Sequence, residues 1–211
     1  MRHHHRPVFA RIYARLSGPM EHGGMAEYRD RTLAGLSGRV LEVGAGDGAN
    51  FPHYPSGVSR VVAVEPEPYL RARALERAGT VGVEVDVVEG VAEDLGFADG
   101  SFDAAVATLA LCSVDDQDRA LREIYRVLRS GGQLRFFEHV RAESAPMRAV
   151  QRSLDATVWP HVAGGCHMGR DTQAAIETTG FQITQVDELR FPDFRLNTPV
   201  TRHLLGTAVR P

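Results

Sequence analysis

The chain has 211 residues, 43% of them hydrophobic and 24% charged, with a formal net charge of -3. That balance supplies no field for a nucleic-acid backbone, and no apolar run is long enough to span a bilayer or to form a signal core. All 24 basic side chains are arginine, which excludes a lysine Schiff base, a P-loop lysine and a Tyr-Lys pair. Cys112 and Cys166 form no CxxC pair, so no disulfide framework is expected. These features read as one α/β domain spanning residues 1–211, cytoplasmic, without stable membrane insertion and from a GC-rich bacterial genome.

Met1 to Pro7 carries His3, His4 and His5 and reads as a frayed terminus. Val8 to Leu16 reads as a helix with Phe9, Ile12, Tyr13 and Leu16 on one face. Its arginines are either a solvated face or part of a flap across a ligand site. Ser17-Gly18-Pro19 ends that segment, and a second helix is predicted over Met25 to Leu36. Residues 1–37 would thus form a helical cap.

The stretch Val40 to Asn50 organises the rest. An apolar run enters Gly44-Ala45-Gly46-Asp47-Gly48, the pattern of a strand and a tight turn, with a short helix predicted after it. Gly44 and Gly46 let backbone approach a ligand where a Cβ would block it. Glu42 and Asp47 add negative charge there, which favours a cationic ligand over a pyrophosphate. Arg60 to Glu65 is a buried-type strand ending in an acid placed to take ribose hydroxyls. Pro66 to Ala78 is predicted helical, Val81 to Val88 a strand, 90–97 a loop and Phe102 to Thr108 a strand. Asp115 to Leu128 is the clearest helix, with an apolar stripe through Leu121, Ile124, Val127 and Leu128. Gly131-Gly132 stops it before the strand Gln133 to Glu138, and His139 comes next.

This alternation predicts a doubly wound, mostly parallel sheet whose strand ends bring together 44–50, 65, 91–94, 108–113 and 138–140. Ala145 to Trp159 reads as a helix, Pro160 to Gly169 as a loop rich in His, Gly and Cys, and Asp171 to Thr179 as a short helix. Phe181 to Leu189 and His203 to Val209 read as a C-terminal antiparallel hairpin, completing a seven-stranded Rossmann-like sheet.

Glu42 to Gly48, Glu65, Ala92-Glu93-Asp94-Leu95, Asp99 to Asp103 and Leu121 to Gly132 together resemble the class I S-adenosylmethionine-dependent methyltransferases. The likeness covers residues 38 to 140. Gly48-Ala49-Asn50-Phe51, Tyr54-Pro55, Thr108 to Val114, Glu138-His139-Val140, Leu154-Asp155-Ala156 and Gly165-Cys166 before Arg170 resemble more closely the methyltransferase-like 7 group of small-thiol methyltransferases. That group usually carries an N-terminal membrane segment, which is not found in this sequence. Val91 also departs from the acid that many relatives place there.

The resemblance implies a core at 38–140, an acceptor-side cap at 141–170, and a closing helix and hairpin at 171–211. It implies S-adenosylmethionine as cofactor. Gly44, Ala45 and Gly46 would pass the methionine part, with Glu42 supplying charge, Asn50 positioning and Thr108 or Leu109 lining it. Glu65, with Pro66 after it, would hold the ribose, Ala92 and Glu93 would meet adenine, and Tyr13 would cover the site. The expected reaction is in-line methyl transfer to a small-molecule acceptor, a thiol first. His139 is the leading candidate base because a neutral imidazole suits a thiol of pKa about 8.5; Asp155 is a second candidate. O-, N- or C-methylation of a quinone, natural product or phospholipid head group stays open. So does an NAD-dependent oxidoreductase, since Gly44, Gly46 and Ala49 fit a loosened dinucleotide pattern. No ligand-pair spacing for a metal appears.

Overall fold

The computed structural model describes residues 5–192 and 198–211; His3 and His4 fall outside them. Seven strands form one sheet: β1 (Gly38–Val43), β2 (Val58–Val64), β3 (Val85–Val88), β4 (Phe102–Thr108), β5 (Leu128–His139), β6 (Gln182–Arg190) and β7 (Arg202–Val209). Their spatial order is β3-β2-β1-β4-β5-β7-β6. β1 pairs in parallel with β2 and β4, β2 with β3, and β4 with β5. β7 lies antiparallel to both β5 and β6, which is the expected hairpin. Strand order reverses between β1 and β4, and a crevice opens beyond their carboxyl ends.

The central strands are apolar on both faces because helices cover both sides. Leu41, Val43, Val62 and Val64 pack into one cluster with Leu121, Ile124 and Val127 of α4 (Gln117–Val127). Alternate residues Val40, Val61 and Ala63 face the other way, toward Leu33 of α2 (Ala26–Leu33) and Ala74 of α3 (Pro68–Ala78). Each fully buried Leu or Ile stabilises by about 1.5–3 kcal/mol, so the α4 stripe alone fixes that helix on the sheet. Asp116 caps it, its Oδ1 accepting from the Arg119 amide at 2.9 Å.

Four expectations are corrected. The first helix, α1 (Pro7–Met20), continues through Gly18-Pro19. A helix proline removes only one amide bond there, and Gly18 and Pro19 are themselves exposed to water. A five-residue turn, Glu21–Met25, with Gly24 at φ 108° then redirects the chain into α2. No α-helix comes after the glycine turn that ends β1; a three-residue helical turn, Phe51–His53, stands in its place, confined by Pro52 and Pro55. β3 covers only the second half of its predicted run, pairing with Val61 to Val64 of β2, while the first half, which contains Gly82, is irregular. The helix predicted to Trp159 stops as α5 (Ala145–Asp155), where Asp155 turns its carboxylate to the Met168 and Gly169 amides; α6 (Trp159–Val162) is a separate helix. The remaining helix is α7 (Thr172–Thr179), closed by Gly180 at φ 108°.

Candidate active site

Beyond the ends of β1, β2 and β4 lies a cleft of about 950 Å³, part of it open to solvent. Gly44 and Gly46 form its floor, Glu65, Pro66 and Glu67 one side, and Val91, Ala92 and Glu93 the far end. Thr108, Leu109, Ala110, Ser113 and Val114 form the opposite wall. The predicted convergence therefore holds for every segment except 138–140, which stands behind that wall.

Helix α1 crosses the opening. Arg6, Phe9 and Tyr13 line the cleft from above. The Arg6 amide donates to Glu67 Oε2 at 2.8 Å, and its guanidinium donates to the Pro160 carbonyl at 3.0 Å. The helix thus bridges the β2 side to the segment after α5. Of the two readings of this helix, the covering one describes its position, while Arg11 and Arg15 are exposed.

Gly44 has φ 65°, and a Cβ there would stand 2.7 Å from the Ala110 Cβ. Gly46 has φ 59°. Both need the left-handed region that glycine alone enters freely. Glu65 is buried and clamps the turn: its Oε2 accepts from the Gly46 amide at 2.7 Å and its Oε1 from the Glu67 amide at 2.9 Å. Burial raises its pKa, opposed by those two amides.

Glu42 and Asn50 sit just behind the floor. Glu42 accepts from Asn50 Nδ2 at 3.0 Å and from the Tyr54 hydroxyl at 2.7 Å, and burial pushes its pKa up to about 7. Asn50 also donates to Thr108 Oγ1 at 3.1 Å and accepts from Arg29 at 2.7 Å. The buried Arg29 of α2, not foreseen from the sequence, ties the helical cap to this network. Ala45 is buried in the core beside it. Tyr13 is held among Arg29, Asp47 and Glu65, and burial raises its pKa.

Glu93 lines the far end, but its Oε1 accepts from the Asp115 and Asp116 amides at 2.8 and 3.1 Å. Its carboxylate is therefore engaged at the start of α4, where the dipole favours an anion. The wall after β4 is shaped by Glu138. Its two oxygens accept from the amides of Ala110, Leu111 and Cys112 at 2.9, 2.9 and 3.0 Å, and burial lifts its pKa to about 7. Leu109 sits at φ 56°, a conformation costing on the order of 1 kcal/mol that this anchorage sustains.

Neither catalytic candidate lines the cleft. His139 is buried, with Nε2 3.2 Å from the Pro199 carbonyl and Nδ1 3.5 Å from Cys166 Sγ. A carbonyl only accepts, so Nε2 carries the proton and Nδ1 offers its lone pair to the thiol. Asp155 accepts from the Met168 and Gly169 amides at 2.8 and 2.7 Å and orders the loop that holds Cys166. His161 is exposed, and His167 Nδ1 faces the Gly165 carbonyl at 2.8 Å. Among the described residues no three His, Cys, Asp or Glu side chains are grouped to hold a metal.

Residues 41–136 match the methyltransferase domain family. The chain is 40% identical over 185 residues to the thiol S-methyltransferase TMT1B of Mus musculus, covering 85% of this chain and 75% of the mouse protein. It is 36% identical over 184 residues to the thiol S-methyltransferase TMT1A of Homo sapiens, covering 84% and 74%. The fold superposes on geranyl diphosphate methyltransferase in complex with SAM with a TM-score of 0.69 at 16% identity, over 90% of this chain and 85% of that one.

The cleft fits S-adenosylmethionine and disfavours a dinucleotide. Among the described residues its wall carries Glu65, Glu67 and Glu93 against one cation, Arg6, a balance suited to a sulfonium. A pyrophosphate would need helix N-terminal amides, and the three-residue turn after the glycines does not provide a helix. Matched across about three quarters of the mouse and human proteins, the chain belongs to the thiol S-methyltransferase family, an S-adenosylmethionine-dependent methyltransferase.

Proposed function

We propose that the acceptor is a small-molecule thiol and that the product is its methyl thioether. The observation carrying this reading is the seat of α1 on the loop at Gly164, where both line the cleft. Phe9 of α1 packs so tightly on Gly164 that a Cβ there would stand 2.3 Å from its ring. A small, partly apolar acceptor suits such a space, whereas a macromolecule does not. The relatives named as thiol S-methyltransferases support the same choice.

S-adenosylmethionine supplies an activated methyl group on a cationic sulfur. The chain's own residues bind, align and dry the site. Glu65 is assigned to the ribose hydroxyls, beside Pro66. Gly44, Ala45 and Gly46 are assigned to the methionine end, with Glu42, Asn50 and Thr108 fixing its polar groups. Ala92, Glu93 and the adjoining backbone are assigned to adenine, and Leu109 and Tyr13 to enclosure. Holding the acceptor sulfur and the methyl about 3–3.5 Å apart accounts for ~7–11 kcal/mol of barrier reduction.

His139 is assigned as the proton acceptor on the thiol side, acting from behind the cleft wall, where its Nδ1 lone pair is turned toward Cys166 Sγ. Asp155 is assigned a positioning role through the 168–169 amides. The reading includes a cytoplasmic, bacterial enzyme acting without nucleic acid; among the described residues no helix is long and apolar enough to cross a membrane.

Methyl-labelled cofactor offered with matched panels of thiols, phenols, amines and quinols tests this. Label recovered in thioethers is the expected result. Label in ethers, amines or ring carbons, with thiols untouched, overturns it.

A further inference from the structure

The thiols of Cys112 and Cys166 lie on two loops that pack directly together. The His167 amide donates to the Cys112 carbonyl at 2.8 Å. A Cβ at Gly165 would stand 2.9 Å from the Ser113 carbonyl. Both cysteines are reduced, Cys112 buried and Cys166 partly accessible. His139 Nδ1 is 3.5 Å from Cys166 Sγ, and its other nitrogen is committed to Pro199. The indole Nε1 of Trp159 is buried without an acceptor of its own and faces the same sulfur.

We propose that Cys166 and Cys112 form a reversible redox pair, in which Cys166 is the thiol attacked by a hydroperoxide and Cys112 resolves it into a disulfide. The chemistry rests on the arrangement. A thiol beside an imidazole lone pair ionises readily, and a partly accessible thiolate is the reactive form. The Cys112 thiol and then His139 lower the Cys166 pKa, while the same partnership and burial raise that of Cys112. One sulfur is thereby poised as nucleophile and the other kept as a protonated partner.

In the first step the Cys166 sulfur attacks the terminal peroxide oxygen and the O–O bond breaks. Cys166 becomes a sulfenic acid, and the thiol proton that His139 Nδ1 took from Cys166 passes to the leaving hydroxide or alkoxide. In the second step the Cys112 sulfur attacks the Cys166 sulfur. The S–S bond forms, and hydroxide departs with the Cys112 proton as water. Two thiols lose two electrons, and the peroxide is reduced to water or to an alcohol and water.

The consequence is structural. A bond between these residues pins the loop after β4, which supplies Ser113 and Val114 to the cleft, to the loop that supplies Gly164. The pair goes beyond the methyl-transfer reading and does not depend on it.

The test uses the full chain and hydrogen peroxide, with peptide mass mapping after alkylation of free thiols. The expected result is a 112–166 cross-linked peptide within one chain, reversed by a phosphine reductant. In Cys112→Ser, dimedone should label Cys166. Near pH 6, wild-type Cys166 should be consumed on the order of tenfold faster than free cysteine, and His139→Gln should abolish that advantage. Both thiols surviving peroxide that consumes free cysteine would overturn the proposal. So would a wild-type Cys166 that stops at the sulfenic or sulfinic acid with Cys112 still free, or links only between chains. The mapping reads mass rather than turnover, so failure here and failure of methyl transfer are told apart.

Discussion

The Tyr13 ring lies over Gly46: a Cβ added to that glycine would stand 3.4 Å from the nearest ring carbon. One contact therefore joins the first helix to the turn on which the cofactor cleft is built. Gly46→Val places a branched side chain at φ 59° between that ring and the cleft. The expected outcome is a stability loss of about 1–2 kcal/mol and cofactor affinity reduced beyond calorimetric detection. Isothermal titration with S-adenosylmethionine checks the second, and a urea melt separates it from unfolding.

Tyr13 itself should act as a lid. Tyr13→Ala removes the ring and should weaken cofactor binding about tenfold, equivalent to ~1.4 kcal/mol, while the sheet melts as before. Tyr13→Phe keeps the ring and should retain most of the affinity. The same titration compares the two variants.

The pH dependence of binding should report Glu42. Its folded-state pKa is raised to about 7 by burial, so the native carboxyl keeps a proton that an unfolded chain sheds near 4.5. Stability from this group is fully present below that value and is lost as pH rises through 7. A cationic ligand favours the carboxylate, so binding should expel the proton. Affinity should rise about tenfold from pH 6 to pH 8, and Glu42→Gln should flatten the curve. Titration in buffers of different ionisation enthalpy measures the released proton.

Glu138→Ala should cost about 3–5 kcal/mol, because the Ala110, Leu111 and Cys112 amides lose their shared acceptor inside the protein. Denaturant unfolding measures it. Glu138→Gln keeps an acceptor oxygen and should lie between the variant and the wild type. If Glu138→Ala is as stable as the wild type, the loop after β4 is held by something else.

His139→Gln should lower turnover of thiols with ordinary pKa values on the order of tenfold at pH 7, since about 3% of such a thiol is ionised there. The deficit should close toward pH 9, where the acceptor ionises unaided. A uniform loss across that range would assign His139 to packing with His203, whose ring stacks 5.1 Å away.

The sheet was legible in the sequence because its signals are local. Apolar runs such as Val61 to Val64 and Ala104 to Ala107, broken by glycines and an amphipathic α4, state strand order and hand through simple rules. The glycine turn and Glu65 likewise announce a cleft at the strand ends. The segment after the glycine turn was not legible: Pro52 and Pro55 signal an early stop, but not that the helix is missing altogether. Pro19 misled in the opposite direction, because exposure on one side lets the helix tolerate it. The site's supports were hidden for another reason. Arg29 reaching Asn50, Glu138 reaching three amides 26 to 28 residues earlier, and Asp155 reaching the loop at 168 are pairings between distant segments. No periodicity records them. Glu93 shows the same limit, its carboxylate being occupied by the start of α4.

Every functional assignment places the methyl donor across the ends of β1, β2 and β4. A crystal structure with S-adenosylhomocysteine tests that placement most directly. The predicted result is density with the ribose against Glu65, adenine beside Ala92 and the sulfur between Gly44 and Leu109, under Tyr13. Adenosyl density elsewhere, or this cleft closed by protein in the complex, would contradict it.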